Sequence, residues 1–401
     1  MAAGEPQAAA IAAPGELISA RLALMRDVAA HKWANGLAVE DLPREAVVLD
    51  AARRSGLTRS LTVASVEKLF AAQIDAAKEI QRYWFVQWQA DVQPLQPVDL
   101  AGTIRPRLLE LGDAILTAAA SAAATATDTD GRNFPASLPE IAPIEGLSDA
   151  TRVKLANAFA AVRRYPDRLQ QILDSGLLRV GTTGDYGPFS WREEDGSFRG
   201  VDIAMADNLA QALGVELVLV QTSWPTLMSD LLAGSYDIAM SGVSRTVERA
   251  RQAFLSDAYY QGGKTAISRC DQAPRYASLA DIDQPGVRVI VNPGGTNEKF
   301  VDANIRNAVK LLHPDNRTIF AELIAGRADV MFTDAIEVAV QTKSSPQLCR
   351  ATPELLSFQQ KGYLLPQDTR LLEFVNLWLE QRLGDGLLAE TFARYGVSLS
   401  R

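Results

Sequence analysis

At 401 residues the chain is too long for one ordinary hydrophobic core, so two or three domains are expected, and a hydrophobic content of 47% makes them globular. A formal net charge of -8 lacks the basic footprint that nucleic acid or an acidic membrane surface would need, so neither is an expected partner and any anionic ligand must be held by local Arg and Lys clusters. The two histidines, His31 and His313, and the two cysteines, Cys270 and Cys349, cannot supply the usual zinc sets and argue against a Ser-His-Asp triad, so no metal or cofactor is expected.

The cysteines, both in the second half, fit either a single disulfide or two buried thiols. No run of 18 or more apolar residues is present, and no transmembrane helix is expected. The opening Met1-Ala2-Ala3-Gly4-Glu5-Pro6 lacks a basic region followed by a long apolar one, which leaves a cytosolic protein or a numbering that starts after a removed signal peptide.

From Gly15 to about Gln89 glycine is sparse and apolar residues recur at helical spacing, with breaks at Pro43 and from Gly56 to Thr62, so an all-α region is predicted. Arg21 and Lys32 lie about three turns apart on a helix beginning near Glu16 and share a face. Arg44 opens the next helix after Leu42-Pro43, and on the long helix from about Val63 to Trp88 the residues Gln73, Ala77 and Gln81 fall on one face. A further cation, Arg105, follows a connection containing Pro94, Pro97 and Asp99-Leu100, with Arg107 as its rival.

In order, Arg21-Leu22, Val28-Ala29 with Lys32-Trp33, Glu40-Asp41 with Arg44, Phe70 with Gln73-Ile74, and Gln81 resemble the secreted class of AroQ chorismate mutases over roughly Gly15 to Asp174. The resemblance implies a helical bundle that rearranges chorismate to prephenate, an intramolecular pericyclic step needing no nucleophile or base. Catalysis then consists of holding the compact conformer and stabilising negative charge on the breaking ether oxygen. By that resemblance Arg21, Arg44 and Arg105 clamp the two carboxylates, Asp41 and Gln73 help bind the substrate, and Lys32 and Gln81 donate to the ether oxygen. The family places a hydroxyl residue where this chain has Ala77 and a polar one where it has Val48. Gln donates a hydrogen bond at any pH, so a mutase rate nearly flat from mildly acidic to neutral pH is expected.

The Ala- and Thr-rich stretch from Ala118 to Asp130 and the proline-containing segment from Gly131 to Gly146 read as a fraying helix end and a loop. One more amphipathic helix is expected from Asp149 to about Asp174, with a domain boundary near Ser175-Gly176 or, failing that, at Gly146.

From Leu178 onward short β-branched runs alternate with helices, which implies α/β layers. Leu231-Leu232-Ala233-Gly234 with Asp237-Ile238 repeats as Leu323-Ile324-Ala325-Gly326 with Asp329-Val330, so two lobes of like architecture with a ligand between them are expected. Within this half Val287-Arg288-Val289-Ile290-Val291 ends at Asn292-Pro293-Gly294-Gly295, and Thr296-Asn297 then opens a helix. Such a loop is a plausible anion cradle. A carboxylate there, Glu298, repels a bound anion unless it carries a proton, which points to an acid catalyst; the competing reading is a solvent-facing Glu favoured by the helix dipole.

Thr183-Gly184-Asp185-Tyr186, Gly200 with Asp202-Ile203, Asp237-Ile238-Ala239, and Arg249 followed by Ser256-Asp257 resemble the amino-acid-type periplasmic solute-binding proteins. That family's pattern implies carboxylate binding at Ser241, Gly242, Arg249 and Thr296, and an ammonium partner in Asp334. Thr222-Ser223-Trp224-Pro225, Gly263-Lys264-Thr265, the stretch from Val291 to Phe300, His313-Pro314-Asp315-Asn316 and Thr333-Asp334-Ala335-Ile336-Glu337 narrow the resemblance to the cyclohexadienyl dehydratases on the same fold, over roughly Leu178 to Leu365. What this implies is loss of water and CO2 from prephenate, or from its amino analogue arogenate, with Glu298 as the acid. Closure of the cleft and the substrate carboxylates are expected to raise its pKa. Arg249 and Lys264 would hold carboxylates, Ser241 and Thr296 add neutral donors, Trp224 and Tyr186 flank the ring, and Asp185 complete the pocket.

The expected organisation is therefore a helical mutase domain at 13–174 and a type II periplasmic-binding-protein fold at 175–401, with a first lobe at about 175–268 plus 360–401 and a second at about 269–359. The expected function is consecutive conversion of chorismate to prephenate and then to phenylpyruvate in phenylalanine biosynthesis. The alternative is a solute-binding protein fused to a helical docking module. Both resemblances imply the periplasm, where a Cys270-Cys349 disulfide is in place, and a homo-oligomer stays open because relatives of the helical half include dimers.

Overall fold

The computed structural model describes residues 13–90, 95–96, 98–125 and 137–398. The opening residues read for a leader, Pro94 and Pro97, and the loop at 126–136 lie outside the described residues. The chain divides into two compact units, Met1–Pro166 and Asp167–Arg401.

The first unit is all-α. Its centre is the helix Val63–Gln89, which buries Val66, Leu69, Phe70, Ala76, Ile80 and Trp84 at spacings of three and four residues. The helix expected to carry both Arg21 and Lys32 is divided at Leu24 into Pro14–Ala23 and Met25–Ala34, but Leu24 keeps helical dihedrals and the shared face survives. Asp41 starts Leu42–Thr58 by accepting the Arg44 N–H at 3.1 Å. The break expected from Gly56 to Thr62 falls at Arg59 to Thr62, since that helix continues to Thr58 and the next begins at Val63. Gly56 instead permits close helix packing: a Cβ on it would meet a Val66 methyl at 2.8 Å. A π-helical turn, Leu100–Ile104, runs into Arg105–Thr125, and together they are long and apolar enough by length and composition to cross a membrane. In this unit Ile104, Leu111, Ile115 and Leu116 of that helix are buried in the bundle.

The single helix expected from Asp149 to about Asp174 is two helices, Asp149–Ala160 and Arg168–Ser175. Pro166 lies in the break, and Leu169 and Ile172 of the second helix are buried in the core of the α/β unit, so the division falls one short helix earlier than Ser175-Gly176.

The second unit has two five-stranded sheets. The first is ordered Glu216–Gln221, Leu177–Thr182, Ile238–Ala239, Leu364–Leu365, Phe254–Leu255, and the second Val309–Leu312, Arg288–Val291, Val330–Asp334, Lys264–Arg269, Leu348–Arg350. Each sheet is one lobe, and the chain passes between them through the antiparallel strands Tyr260–Gly262 and Gln359–Lys361. Residues 264–268, expected in the first lobe, belong to the second, because Lys264–Arg269 pairs with Val330–Asp334.

The internal repeat is physical. Asp237 accepts the Arg179 N–H at 2.9 Å and its guanidinium, which donates to the Gly234 carbonyl at 2.8 Å. In the other lobe Asp329 accepts the Arg288 N–H at 2.8 Å and its guanidinium, which donates to the Gly326 carbonyl at 2.8 Å. Cys270 and Cys349 form a disulfide with an S–S distance of 2.04 Å at the outer strand pair of the second lobe.

Two candidate active sites

In the helical unit a cavity of about 440 Å³ collects Arg21, Lys32, Asp41, Arg44, Gln81 and Arg105 from five helices. Its remaining walls are largely apolar, and include Val28, Val48, Phe70, Ala77, Leu108 and Leu116. Arg21 is buried with its guanidinium 5.8 Å from the Phe70 ring centre, its Nε has no partner, and burial brings its pKa down to about 10. Lys32 donates to the Val39 carbonyl at 2.6 Å, which leaves two of its three protons for a ligand. Burial lowers the Lys32 pKa, against the opposing charges of Asp41 and Glu45. The buried Gln81 amide has only a weak contact from Nε2 to the Met25 sulfur at 3.8 Å, and its carbonyl oxygen has no partner. Arg105 lines the cavity, whereas Arg107 forms an exposed ion pair with Glu110 at 2.9 Å.

Gln73 does not reach this cavity. It is fully buried with both amide atoms unpartnered. Eight residues of α-helix overshoot two turns by roughly 80°, so Gln73 rotates into the helix-packing core while Ala77 and Gln81 face the cavity. Lys78 and Glu45 also line the cavity and pair at 3.1 Å. They come from different helices, and their pairing has no local signature in the sequence.

The second candidate site lies between the lobes of the α/β unit, closed around a cavity of about 20 Å³. Of the expected residues, Tyr186, Trp224, Gly242, Arg249, Thr296 and Asp334 line it, joined by Ser244, Asn292, Asn297, Asn316 and Lys361. Asp334 sits at its centre, 2.7 Å from Lys264 Nζ and 2.6 Å from Lys361 Nζ, and accepts the Tyr186 hydroxyl from across the cleft. Burial alone would raise the Asp334 carboxyl, but the two ammonium groups outweigh it and hold the pKa well below the usual carboxylate range. Lys361 also donates to Ser244 Oγ at 2.9 Å and lies 5.0 Å over the Tyr186 ring. Arg249 is tethered to the Ser244 carbonyl at 2.7 Å. Asn316 donates to the Asp185 carbonyl at 2.9 Å, a further bond between the lobes.

Four expected ligand contacts are engaged as supports in the closed cleft. Ser241 Oγ accepts the Thr183 N–H at 3.1 Å and bonds its hydroxyl at 2.8 Å, so it stands behind the cavity wall. Gly242 lines the cavity, yet its N–H donates to Asp202 at 2.6 Å. Asp185 accepts the Trp224 indole N–H at 3.1 Å and fixes that ring. Lys264 is fully buried beneath the wall, where it donates to Thr296 at 3.1 Å and to Asn297.

Glu298 stands at the start of the helix that follows the loop at 292–295, directly after the cleft-lining Thr296 and Asn297. In the closed cleft it does not line the cavity: one carboxylate oxygen accepts the N–H of Gly294 at 2.8 Å and the other pairs with Lys310 at 3.3 Å. It is the third residue of the helix Thr296–Asn304, where a carboxylate folds back to cap its own loop. The cradle thus uses Glu298 for its own N–H groups, as the competing sequence reading of a helix-start carboxylate allows.

Glu337 is a second carboxyl, buried behind the cleft wall. Desolvation, helped by the charges of Asp334 and Asp185, raises its pKa to about 8. The Thr333 hydroxyl donates to it, and Asn297 Nδ2 donates to that hydroxyl at 3.3 Å, which connects the carboxyl to the cleft wall. Asp334 and Glu337 stand three apart at the start of one helix, Ala335–Ser344, a spacing visible in the sequence.

Residues 178–398 match the family described as bacterial extracellular solute-binding proteins, family 3, and residues 15–82 match chorismate mutase type II. A cyclohexadienyl dehydratase of Pseudomonas aeruginosa is 50% identical over 234 residues, 58% of this chain and 87% of that protein. The L-cystine-binding protein TcyJ of Escherichia coli is 27% identical over the same shares of both chains. Among solved structures, an ancestral amino acid-binding protein described as a precursor of cyclohexadienyl dehydratase superposes with a TM-score of 0.54 at 33% identity, covering 57% of this chain and 98% of its own.

Proposed function

The chain belongs to the bacterial extracellular solute-binding proteins of family 3, preceded by a chorismate mutase type II region, and from that membership we propose a bifunctional enzyme that converts chorismate to prephenate and prephenate to phenylpyruvate. The observation that carries the second activity is the loop that lines the cationic cleft with Asn292, Gly295, Thr296 and Asn297 and places the carboxyl of Glu298 directly after them. A protein that only binds carboxylates needs the cations and has no use for a carboxyl there.

In the helical cavity Arg21, Arg44 and Arg105 bind the two carboxylates of chorismate. Lys32 and the neutral Gln81 amide donate to the ether oxygen as its C–O bond breaks and the new C–C bond forms. Donors already in place at developing charge give most of such an acceleration.

In the cleft, Arg249 and the Lys264–Lys361 pair attract the carboxylates of prephenate, and Thr296 and Asn292 add neutral groups. Glu298 gives its proton to the ring hydroxyl, which departs as water with the C–O electrons. The ring carboxylate leaves as CO2, and the electrons of its C–C bond complete the aromatic ring. The cleft as closed has room for about one water molecule, so the lobes open to admit substrate and close to exclude solvent.

An amino-acid binder would need a carboxylate free for an α-ammonium, and Asp334 is engaged by Lys264, Lys361 and Tyr186. Arogenate, the amino analogue of prephenate, must displace one of these to be held there. The family and the Cys270–Cys349 disulfide support placement in the periplasm.

The test supplies chorismate to the purified full chain and follows both products. Prephenate that forms and is consumed to phenylpyruvate is expected. Prephenate that only accumulates refutes the second activity, and unreacted chorismate refutes the first.

A further inference from the structure

We propose that Gly294 is a positioning residue for the dehydratase reaction, the point of contact that sets how far the two lobes close, an inference that rests on the cleft being the dehydratase site. Gly294 lies in the second lobe, in the loop between the strand Arg288–Val291 and the helix Thr296–Asn304. Pro225 lies in the first lobe, directly after the cleft-lining Trp224. A Cβ on Gly294 would stand 2.7 Å from the Pro225 nitrogen and 2.8 Å from its Cα. The φ of Gly294, 81°, is also in the left-handed region. Position 294 therefore requires glycine for two reasons, and only the first depends on closure.

The other bonds across the cleft are made by side chains: Asn316 to the Asp185 carbonyl at 2.9 Å, Tyr186 to Asp334, Lys361 to both Ser244 and Asp334, and Lys299 to Glu248 at the exposed rim. Side chains re-form such bonds after a small shift by rotating. Backbone packed on backbone has no such freedom, and the Pro225 ring fixes its own φ. The lobes therefore stop where Gly294 meets Pro225. Gly295 shows how local the demand is: its φ is -98° and a Cβ there would meet no atom beyond its chain neighbours nearer than 3.8 Å. The contact also reaches the reacting groups. Gly294 N–H donates to Glu298, and Asn292, Gly295, Thr296 and Asn297 of the same segment line the cleft. Holding the lobes apart by the width of a methyl group moves all of them away from the first-lobe wall, and a misplacement of about 1 Å costs on the order of 10²-fold in rate.

The experiment measures kcat and KM for prephenate in the full-length chain carrying Gly294→Ala, with Gly286→Ala as the control. Gly286 is in the same lobe with a φ of 85°, and a Cβ there would meet nothing within 4 Å, so its variant carries the backbone strain without the contact. For Gly294→Ala we expect kcat to fall roughly 10²-fold with KM within about fivefold of the parent, because substrate still enters an open cleft. Gly286→Ala is expected to keep kcat within about twofold. If Gly294→Ala does not fold, Gly294→Asn, which accepts the left-handed backbone and still carries a Cβ, reads the same loss. Equal losses in the Gly294 and Gly286 variants, or a parent-like kcat in whichever Gly294 variant folds, overturn the inference. A parent chain that leaves prephenate unreacted refutes the dehydratase reading and the inference with it, whereas a parent that turns it over no faster than its Gly294 variants refutes only the role of Gly294.

Discussion

The helical unit keeps its site open at about 440 Å³, with cations set singly in apolar walls, whereas the cleft of the α/β unit is closed around about 20 Å³ and its charges are bonded to one another. The difference follows the chemistry proposed for each. A pericyclic rearrangement moves no proton, so a preformed cavity with fixed donors suffices. Loss of water and CO2 requires a proton held in reserve and solvent kept out, which a closing pair of lobes provides. Gln81 and Glu298 condense the contrast: one is a neutral donor at every pH, the other a carboxyl that donates only while it carries a proton.

Breaking the mutase half alone gives the largest effect. Lys32→Ala removes the charged donor to the ether oxygen and is expected to lower the chorismate rate by roughly 10²–10³ while prephenate turnover is unchanged. A loss of both activities would show that the sites are not independent.

The pH profiles sharpen the contrast further. The acid that protonates the leaving hydroxyl must carry its proton to act, so the dehydratase rate falls as pH rises and that proton is lost. The mutase rate stays nearly level from mildly acidic to neutral pH and declines only as Lys32 loses its proton, earlier than an exposed lysine would because burial lowers its pKa. Rates measured separately on chorismate and prephenate over one pH series check this, and coincident profiles would contradict it.

Replacing the neutral donor makes the two halves alike. Gln81→Glu needs a proton to donate, so its mutase optimum moves to acid while its neutral-pH rate drops about tenfold. A parent-like profile would remove Gln81 from the ether-oxygen role. The smallest effect is expected at Glu337→Gln, where dehydratase activity changes by less than about threefold, because Glu337 is buried behind the cleft wall and the amide keeps its shape. Abolished dehydration there would move the acid role to Glu337.

The two regions also differ in what their sequences disclose. Helix periodicity placed Arg21, Lys32, Arg44 and Gln81 on converging faces, and it failed at Gln73, where 3.6 residues per turn carries the side chain away from the cavity over eight positions. The motif from Asn292 to Phe300 located the loop of the cleft correctly. It could not tell that Glu298 turns back onto its own backbone, since that depends on where Lys310 of a neighbouring strand stands. Glu337 was visible as a residue and its burial was not, because that burial is created by the packing of the lobe. Lys361 and Lys78 act with Asp334 and Glu45 from distant parts of the chain, and no spacing announces such pairs. The helix over Arg168–Ser175 shows the same limit: its pattern is amphipathic, but the core it joins is set by tertiary contact.

The central claim is that two separate sites run consecutive reactions, the second through Glu298. Chorismate supplied to the full chain carrying Glu298→Gln tests it most directly, with prephenate and phenylpyruvate followed together. We expect chorismate to disappear at the parent rate and prephenate to accumulate, with phenylpyruvate formation reduced by roughly 10²–10⁴. Phenylpyruvate appearing at the parent rate would contradict the account.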